Sequence, residues 1–457
     1  MSKKHLAVIN IVGLTQGLIN KKNTPFIFEL LKTYHIKALE GVFPSVTTTA
    51  QSAMLTGKTA SEHGIVGNGW YFKDLAEIGF WKQANHLVQS PRVWEALKEN
   101  YNDFTCANSF WWYNMYSSTD YSVTPRPHYP ADGRKIPDLY SSPSGLHQEL
   151  EESLGKFPFF NFWGPKAGIE SSTWIANSAI EIQKKHKPNL HLIYLPHLDY
   201  NLQKLEHNDP EIVSDLRKID DVVKNLCQQL LLLDTEFMLV SEYGIRPVNK
   251  PIEINRLLRK HGYLAIRKSL GTDMLDCGAS KAFAAVDHQI AHVYVNDKSK
   301  MNEIKLLLAN ENGIEQVVER EQMDELGVDH ERAGDLIVIA EPNAWFVYYY
   351  WLDDVRAPDF ARTIDIHRKP GYDPLEMFLN PDIPCVKGRV LWKLLMKKMG
   401  FRSLVDVIPL KPELIKGSHG RLETDCDYQP ILISRIESAN QCNKLTDIYS
   451  LIKGYFE

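Results

Sequence analysis

Short, unbroken apolar runs recur along the chain at residues 6–12, 191–195, 237–240, 292–295 and 336–340. They do not alternate with polar positions, which is the pattern of strands covered on both faces, as in a parallel sheet wrapped by helices. Between them, residues 169–185 and 211–232 carry apolar side chains at three- and four-residue spacing, the signature of helices with one buried face. The alternation of the two patterns predicts an α/β fold with a largely parallel sheet sandwiched by helices.

Two stretches break that rhythm. Residues 70–165 are dense in aromatics and prolines, among them Trp111, Trp112 and Pro125, and residues 344–384 hold the run from Tyr348 to Trp351. They read as a cap-like insertion and a second insertion on one domain that spans residues 1–457. Packing of large rings over a broad sheet accounts for both, and pocket lining is the second reading.

At 457 residues and 44% hydrophobic content the chain can bury a large core. Its net charge of -5 offers no general attraction for a nucleic-acid polymer or an anionic membrane. The six cysteines are scattered without a C-x-x-C pair and read as reduced thiols. Lys3, Lys4 and the apolar residues 6–14 mimic a secretory signal, but Asn10 and the polar stretch at 16–23 favour a first buried strand. No run reaches the roughly 18 apolar residues of a membrane span, so a cytoplasmic location is expected.

The densest chemical signal is Phe43-Pro44-Ser45-Val46-Thr47-Thr48-Thr49, followed by Thr56-Gly57 and Glu62-His63-Gly64-Ile65. A turn there enters a short helix whose first residues are hydroxylic. Free backbone N–H groups and the positive end of the helix dipole suit a phosphate oxyanion, and a hydroxyl there can attack phosphorus. The competing account is that Ser45, Thr47 and Thr48 only cap the helix.

With its neighbours, this segment resembles the nucleophile motif of the alkaline phosphatase superfamily, in particular type I phosphodiesterases / nucleotide pyrophosphatases, with similarity to phosphonoacetate-hydrolase-like members. Residues 332–336, 341–346 and Gly417-Ser418-His419-Gly420 extend the likeness. The resemblance implies a phosphoric-ester hydrolase with Thr47 as nucleophile and a small phosphorylated substrate. Thr48 is the alternative nucleophile, because the pyrophosphatase spacing is one residue shorter. Gln51, Asn68 and Arg126 are expected to bind substrate, Arg134 and Lys135 are further cations near it, and Trp111 and Trp112 are candidate stacking rings.

The resemblance also implies two divalent ions, usually zinc. Here Val12 stands at the first aspartate slot, Gln203 at a histidine slot, and Glu242 and Tyr243 at an aspartate and a histidine slot, while Asp199 and His419 persist. The expectation is therefore at most one ion, held by Asp199, Glu242 and His419. His197, Asp287, His288, Asp365 and His367 are possible additional ligands, with His292 nearby. So oxygen-rich a set favours magnesium, manganese or calcium over zinc. The alternative is a catalytically altered member that serves as a binding or assembly component.

Overall fold

The first apolar run is the middle of a large sheet. In the computed structural model, which describes residues 4–131 and 134–457, the strands in chain order begin with Leu6–Ile11 (β1), His35–Ala38 (β2), Cys106–Ser109 (β3) and Tyr121–Pro125 (β4). Leu139–Ser142 (β5), Leu190–Leu195 (β6) and Glu236–Val240 (β7) follow. Four more, Ala282–Asp287 (β8), Ile290–Val295 (β9), Ile314–Glu319 (β10) and Leu336–Ala340 (β11), build a second sheet, and Ile431–Ser434 (β12) returns to the first.

The first sheet has eight strands in the order β2-β12-β7-β1-β6-β3-β4-β5. β7, β1, β6, β3 and β4 run parallel, and β12 and β5 pair antiparallel at the two sides. Every residue of β1 and β6 is buried, as the unbroken apolar runs require. Ile169–His186 (α2, following Thr47–Thr56, α1) and Pro210–Leu232 (α4, following His197–Lys204, α3) pack on the sheet and on each other. α4 starts where Asp209 accepts a hydrogen bond from the Glu211 N–H and Pro210 takes the first helical position. Its buried Ile212, Leu216, Ile219, Val223, Leu226 and Leu230 form one stripe.

Two sequence expectations need correction. The runs at 292–295 and 336–340 are strands, but of the second sheet, ordered β8-β9-β11-β10 and antiparallel throughout. An unbroken apolar run reports cover on both faces, and here the 344–384 aromatics supply that cover on one core without any parallel neighbour. Residues 70–165 are also not wholly a cap: β3, β4 and β5 lie in this span and complete one edge of the first sheet. These strands are short and contain Asn108, Ser109, Ser122 and Thr124, so no apolar run marks them.

Candidate active site

The chain turns at the carboxyl ends of β1, β6 and β7 bring Val12, Asp199, Glu242 and Tyr243 to one edge of the sheet, the usual ligand side of an open α/β fold. α1 points its N-terminus at the same place. Thr47 is its first residue, and all ten residues of α1 are buried. The approach to α1 is fixed by the closing His-Gly element: the Ser45 N–H donates to the Gly420 carbonyl at 2.9 Å, and His419 Nδ1 meets the Ser45 carbonyl at 2.8 Å. At the β7 end the backbone passes so close to Tyr428 that a Cβ on Gly244 would collide with its carbonyl group.

Thr47 Oγ1 lies 2.8 Å from the Tyr243 hydroxyl, which donates onward to Asp199 Oδ1 at 3.3 Å. Thr48 faces elsewhere. Its hydroxyl donates to the Gly67 carbonyl at 2.8 Å, and its N–H donates to Asn68 Oδ1. A cavity of about 120 Å3 opens above Thr47, with Asp199, Tyr243 and His288 at its polar end. Trp81, Trp112, Phe159, Phe162, Trp163 and Tyr372 form much of its wall. Both aromatic-rich stretches therefore contribute to the pocket.

Burial drives the electrostatics. Loss of water pushes the Asp199 carboxyl up to about 7 and Glu242 up to about 8, against the pull of their hydrogen-bond donors. Glu242 Oε1 accepts from both Asn10 Nδ2 and Gln51 Nε2 at 2.5 and 2.6 Å, while its Oε2 has no partner. The same burial holds His288 and His419 well below the ordinary histidine value, so both are neutral. Asp287, raised to about 6 by burial, accepts from the Asn68 backbone and side chain and pairs with His288 Nδ1 at 2.7 Å.

The remaining sequence candidates divide by location. Gln51 is engaged at both ends, giving Nε2 to Glu242 and accepting the Trp112 N–H at Oε1, and Asn68 is similarly held between Thr48 and Asp287. His367 and Lys135 line the cavity. His197 instead faces Asp215 at 3.3 Å, and both ring nitrogens of His292 are used by Val66 and Gly334. Arg126 is exposed and donates to the Tyr116 hydroxyl, Asp365 faces Arg368 at 3.8 Å, and Trp111 is buried in the core of the first sheet. Sequence reasoning missed Asn10 and Tyr372. Asn10, inside β1, looked like a polar interruption of a strand, and its only signal was that a buried amide needs a partner.

The donors present do not fit a two-ion centre. Val12 offers no lone pair, Gln203 Oε1 accepts the Tyr372 hydroxyl, and the Tyr243 phenol stands between Thr47 and Asp199. Nor do ligand atoms of Asp199, Glu242 and His419 all lie within 4.8 Å of one another, and Glu242 Oε1 is already held by Asn10 and Gln51. Among the described residues the one group of three acidic, cysteine or histidine ligand atoms within 4.8 Å is Asp425, Cys426 and Asp427, an exposed turn.

A description of the type I phosphodiesterase / nucleotide pyrophosphatase family matches residues 6–373. The chain belongs to this family. A curated relative, ectonucleotide pyrophosphatase/phosphodiesterase 1 of Saccharomyces cerevisiae, is 23% identical over 283 residues, 54% of this chain. The chain spans about a third of that relative's length, since the match covers 34% of it. Among solved structures, murine ectonucleotide pyrophosphatase / phosphodiesterase 5, in an inactive form with AMP, superposes with a TM-score of 0.59 at 14% identity, covering 98% of this chain and 94% of that one. Phosphonoacetate hydrolase from Sinorhizobium meliloti 1021, with phosphonoformate, gives a TM-score of 0.61 at 12% identity, covering 98% and 95%. At such identities the likeness is one of fold.

Proposed function

We propose that this family member is a phosphoric-ester hydrolase whose nucleophile is Thr47. The hydrogen bond from Thr47 Oγ1 to the Tyr243 hydroxyl, at the floor of the cavity, carries the reading. As Thr47 Oγ1 attacks phosphorus, its proton passes to the Tyr243 oxygen and the phenolic proton to the Asp199 carboxylate. The ester P–O bond breaks and the leaving alkoxide takes up the proton from Asp199. Water then attacks the phosphorus of phosphothreonine and gives its proton to Asp199, which returns one through Tyr243 to the departing Thr47 oxygen, releasing the phosphate product and restoring the Thr47 hydroxyl. The amino end of α1 favours the negative charge that builds on the phosphoryl oxygens.

Asp199 Oδ1 and His419 Nε2, 4.0 Å apart, are the two donors that a single hard divalent ion would use. An ion on Asp199 Oδ1 would compete with the Tyr243 hydrogen bond, so the proton relay is that of the chain without the ion. The apolar wall favours a small substrate whose organic group is aromatic or aliphatic rather than a polymer. Turnover of bis(p-nitrophenyl) phosphate and p-nitrophenyl phosphate, with chelator or with added magnesium, manganese or zinc, tests this. Hydrolysis by the wild-type chain and none by Thr47→Ala supports it. The second reading, a ligand-binding component without turnover, is favoured by the loss of donors at Val12, Gln203 and Tyr243. It prevails if ligand binding is measured while neither ester is cleaved under any of these conditions.

A further inference from the structure

Helix Val386–Lys398 (α5) has thirteen residues and none of them is buried. Most helices in folded proteins are stabilised by an apolar face packed on a core, so a helix rich in large apolar side chains that buries none of them lacks a partner. Its inward side makes limited contact: Val386 and Val390 are partly buried against the core of the second sheet. At about 100° per residue, Leu391, Trp392, Leu395, Met396 and Met399 share an arc of about 140° that carries no charge. Leu391 is 70% exposed, Trp392 57%, Met399 53% and Leu395 45%. Phe401 and Leu404, also exposed, extend this apolar surface along the chain. Single exposed apolar residues are ordinary, but a contiguous patch of this kind marks an interaction surface.

The charges carried by the helix itself and by the chain up to Val405 have one sign, with Asp406 the acid that follows. Residues 386–405 contain six lysines and arginines (Lys387, Arg389, Lys393, Lys397, Lys398 and Arg402) and no acid, in a chain whose net charge is -5. On the helix, Lys387 and Lys398 border one side of the apolar arc, and Arg389 and Lys393 the other. Arg389 and Lys393 are tied to Asp406 at 2.7 and 3.3 Å, which fixes the roll of the helix. Lys387, Lys398 and Arg402 have no ion-pair partner among the described residues. Protein interfaces deplete lysine relative to the rest of the surface, whereas a bilayer surface takes the apolar arc below the headgroups and the cations beside anionic phosphates.

We propose that α5 and the segment through Leu404 form an interfacial anchor that docks this protein on a bilayer surface bearing anionic headgroups. The helix lies in the plane of the surface. Thirteen residues reach only about 20 Å, short of the ~30 Å hydrocarbon core, and no helix among the described residues is long and apolar enough to cross a membrane. Trp392, Leu391 and Leu395 enter the acyl boundary, and Lys387, Lys398 and Arg402 meet the headgroups.

The test is flotation of the full chain with phosphatidylcholine vesicles containing about 30 mol% phosphatidylserine, or none, at roughly 0.1 M and 0.5 M salt. The wild type should float with the anionic vesicles at low salt. Binding should fall about tenfold or more without phosphatidylserine, and to a similar degree in Leu391→Glu/Trp392→Glu and in Lys387→Glu/Lys398→Glu. Both double variants replace exposed side chains, so circular dichroism and hydrolysis of a soluble ester should be unchanged. A wild-type chain that does not float, or variants that float as well as it does, overturns the proposal. It is equally overturned if light scattering shows a dimer that Leu391→Glu/Trp392→Glu dissociates while vesicles bind neither form, for the face then joins two copies.

Discussion

The phenol ring of Tyr243 lies flat on the imidazole of His419, with centroids 3.6 Å apart and planes 10° from parallel. The stack continues: His419 lies 3.8 Å from His288, and His288 lies 3.6 Å from Tyr372. Four rings thus stack at the edge of the sheet beside Thr47, and the unpartnered Nε2 of His419 faces Asp199 at 4.0 Å.

Protein purified without added metal should accordingly carry fewer than two ions per chain by elemental analysis. The combined change Val12→Asp, Gln203→His and Tyr243→His supplies three donors and removes the phenol, so bound zinc should rise. Two zinc ions per wild-type chain would sink this reading of the ring stack.

The two adjacent threonines should behave differently. Thr47→Ala removes the oxygen proposed to attack phosphorus, and the loss in kcat should exceed about 10³-fold. Thr48→Ala removes a hydroxyl that donates to the Gly67 carbonyl and also meets the Tyr113 hydroxyl, which should cost about 1–2 kcal/mol of stability and leave kcat within a few-fold. Steady-state rates and chemical denaturation of both variants separate the effects. Equal loss of activity in the two would return Thr48 to the role of nucleophile.

How far the sequence carried the fold can be read from β1 and β3. β1 is unbroken Leu-Ala-Val-Ile up to Asn10, and of the two readings of that run, a signal segment and a buried strand, the strand is the one found. β3, Cys-Ala-Asn-Ser, is just as buried, but its polar groups are satisfied inside the fold: Ser109 Oγ meets His191 Nε2, 82 residues away, at 3.0 Å, and Asn108 Oδ1 accepts the Trp111 N–H of the turn that follows. Such a strand is not visible from composition. At the site, Thr47, Asp199 and His419 could be named from spacing and resemblance. That Tyr243 bridges Thr47 to Asp199, and that Asn10 and Gln51 together hold Glu242, depends on side-chain directions across three strand ends, which no linear pattern records.

The proposed relay sets a pH dependence. Asp199 must be ionised to receive the proton, and burial holds its carboxyl near 7, so kcat/KM should rise with pH through about 7. Asp199→Asn should lower the rate and flatten that limb. A profile unchanged in shape by Asp199→Asn would remove Asp199 from the relay.

Stability should run the opposite way. Asp199, Glu242 and Asp287 are raised to about 7, 8 and 6, above unfolded carboxyl values of roughly 4. The folded chain therefore holds protons that the unfolded chain has released. The stabilising contribution is full below about pH 4 and is lost progressively as pH climbs from there through the folded values of about 6, 7 and 8. Thermal midpoints should fall across that window, and Glu242→Gln, which keeps the shape without the charge, should reduce the slope. A slope that Glu242→Gln leaves unchanged would mean that Glu242 titrates normally.

The cavity wall gives the last prediction. Trp112 meets Trp81 with centroids 4.9 Å apart, and its backbone N–H donates to Gln51 Oε1 at 2.7 Å. Trp112→Ala keeps that main-chain bond, and with it the hold of Gln51 on Glu242, but removes a ring from the wall. An aryl phosphodiester should then bind less well, with KM up about tenfold for roughly 1.4 kcal/mol of lost ring contact, and kcat little changed. A methyl ester, too small to reach the wall, should be affected much less. The difference between the two substrates is the measurement that matters, because a general loosening of the site would lower kcat for both alike. A fall in kcat for both esters with KM unchanged would show that Trp112 supports the catalytic end of the cavity instead of receiving the organic group.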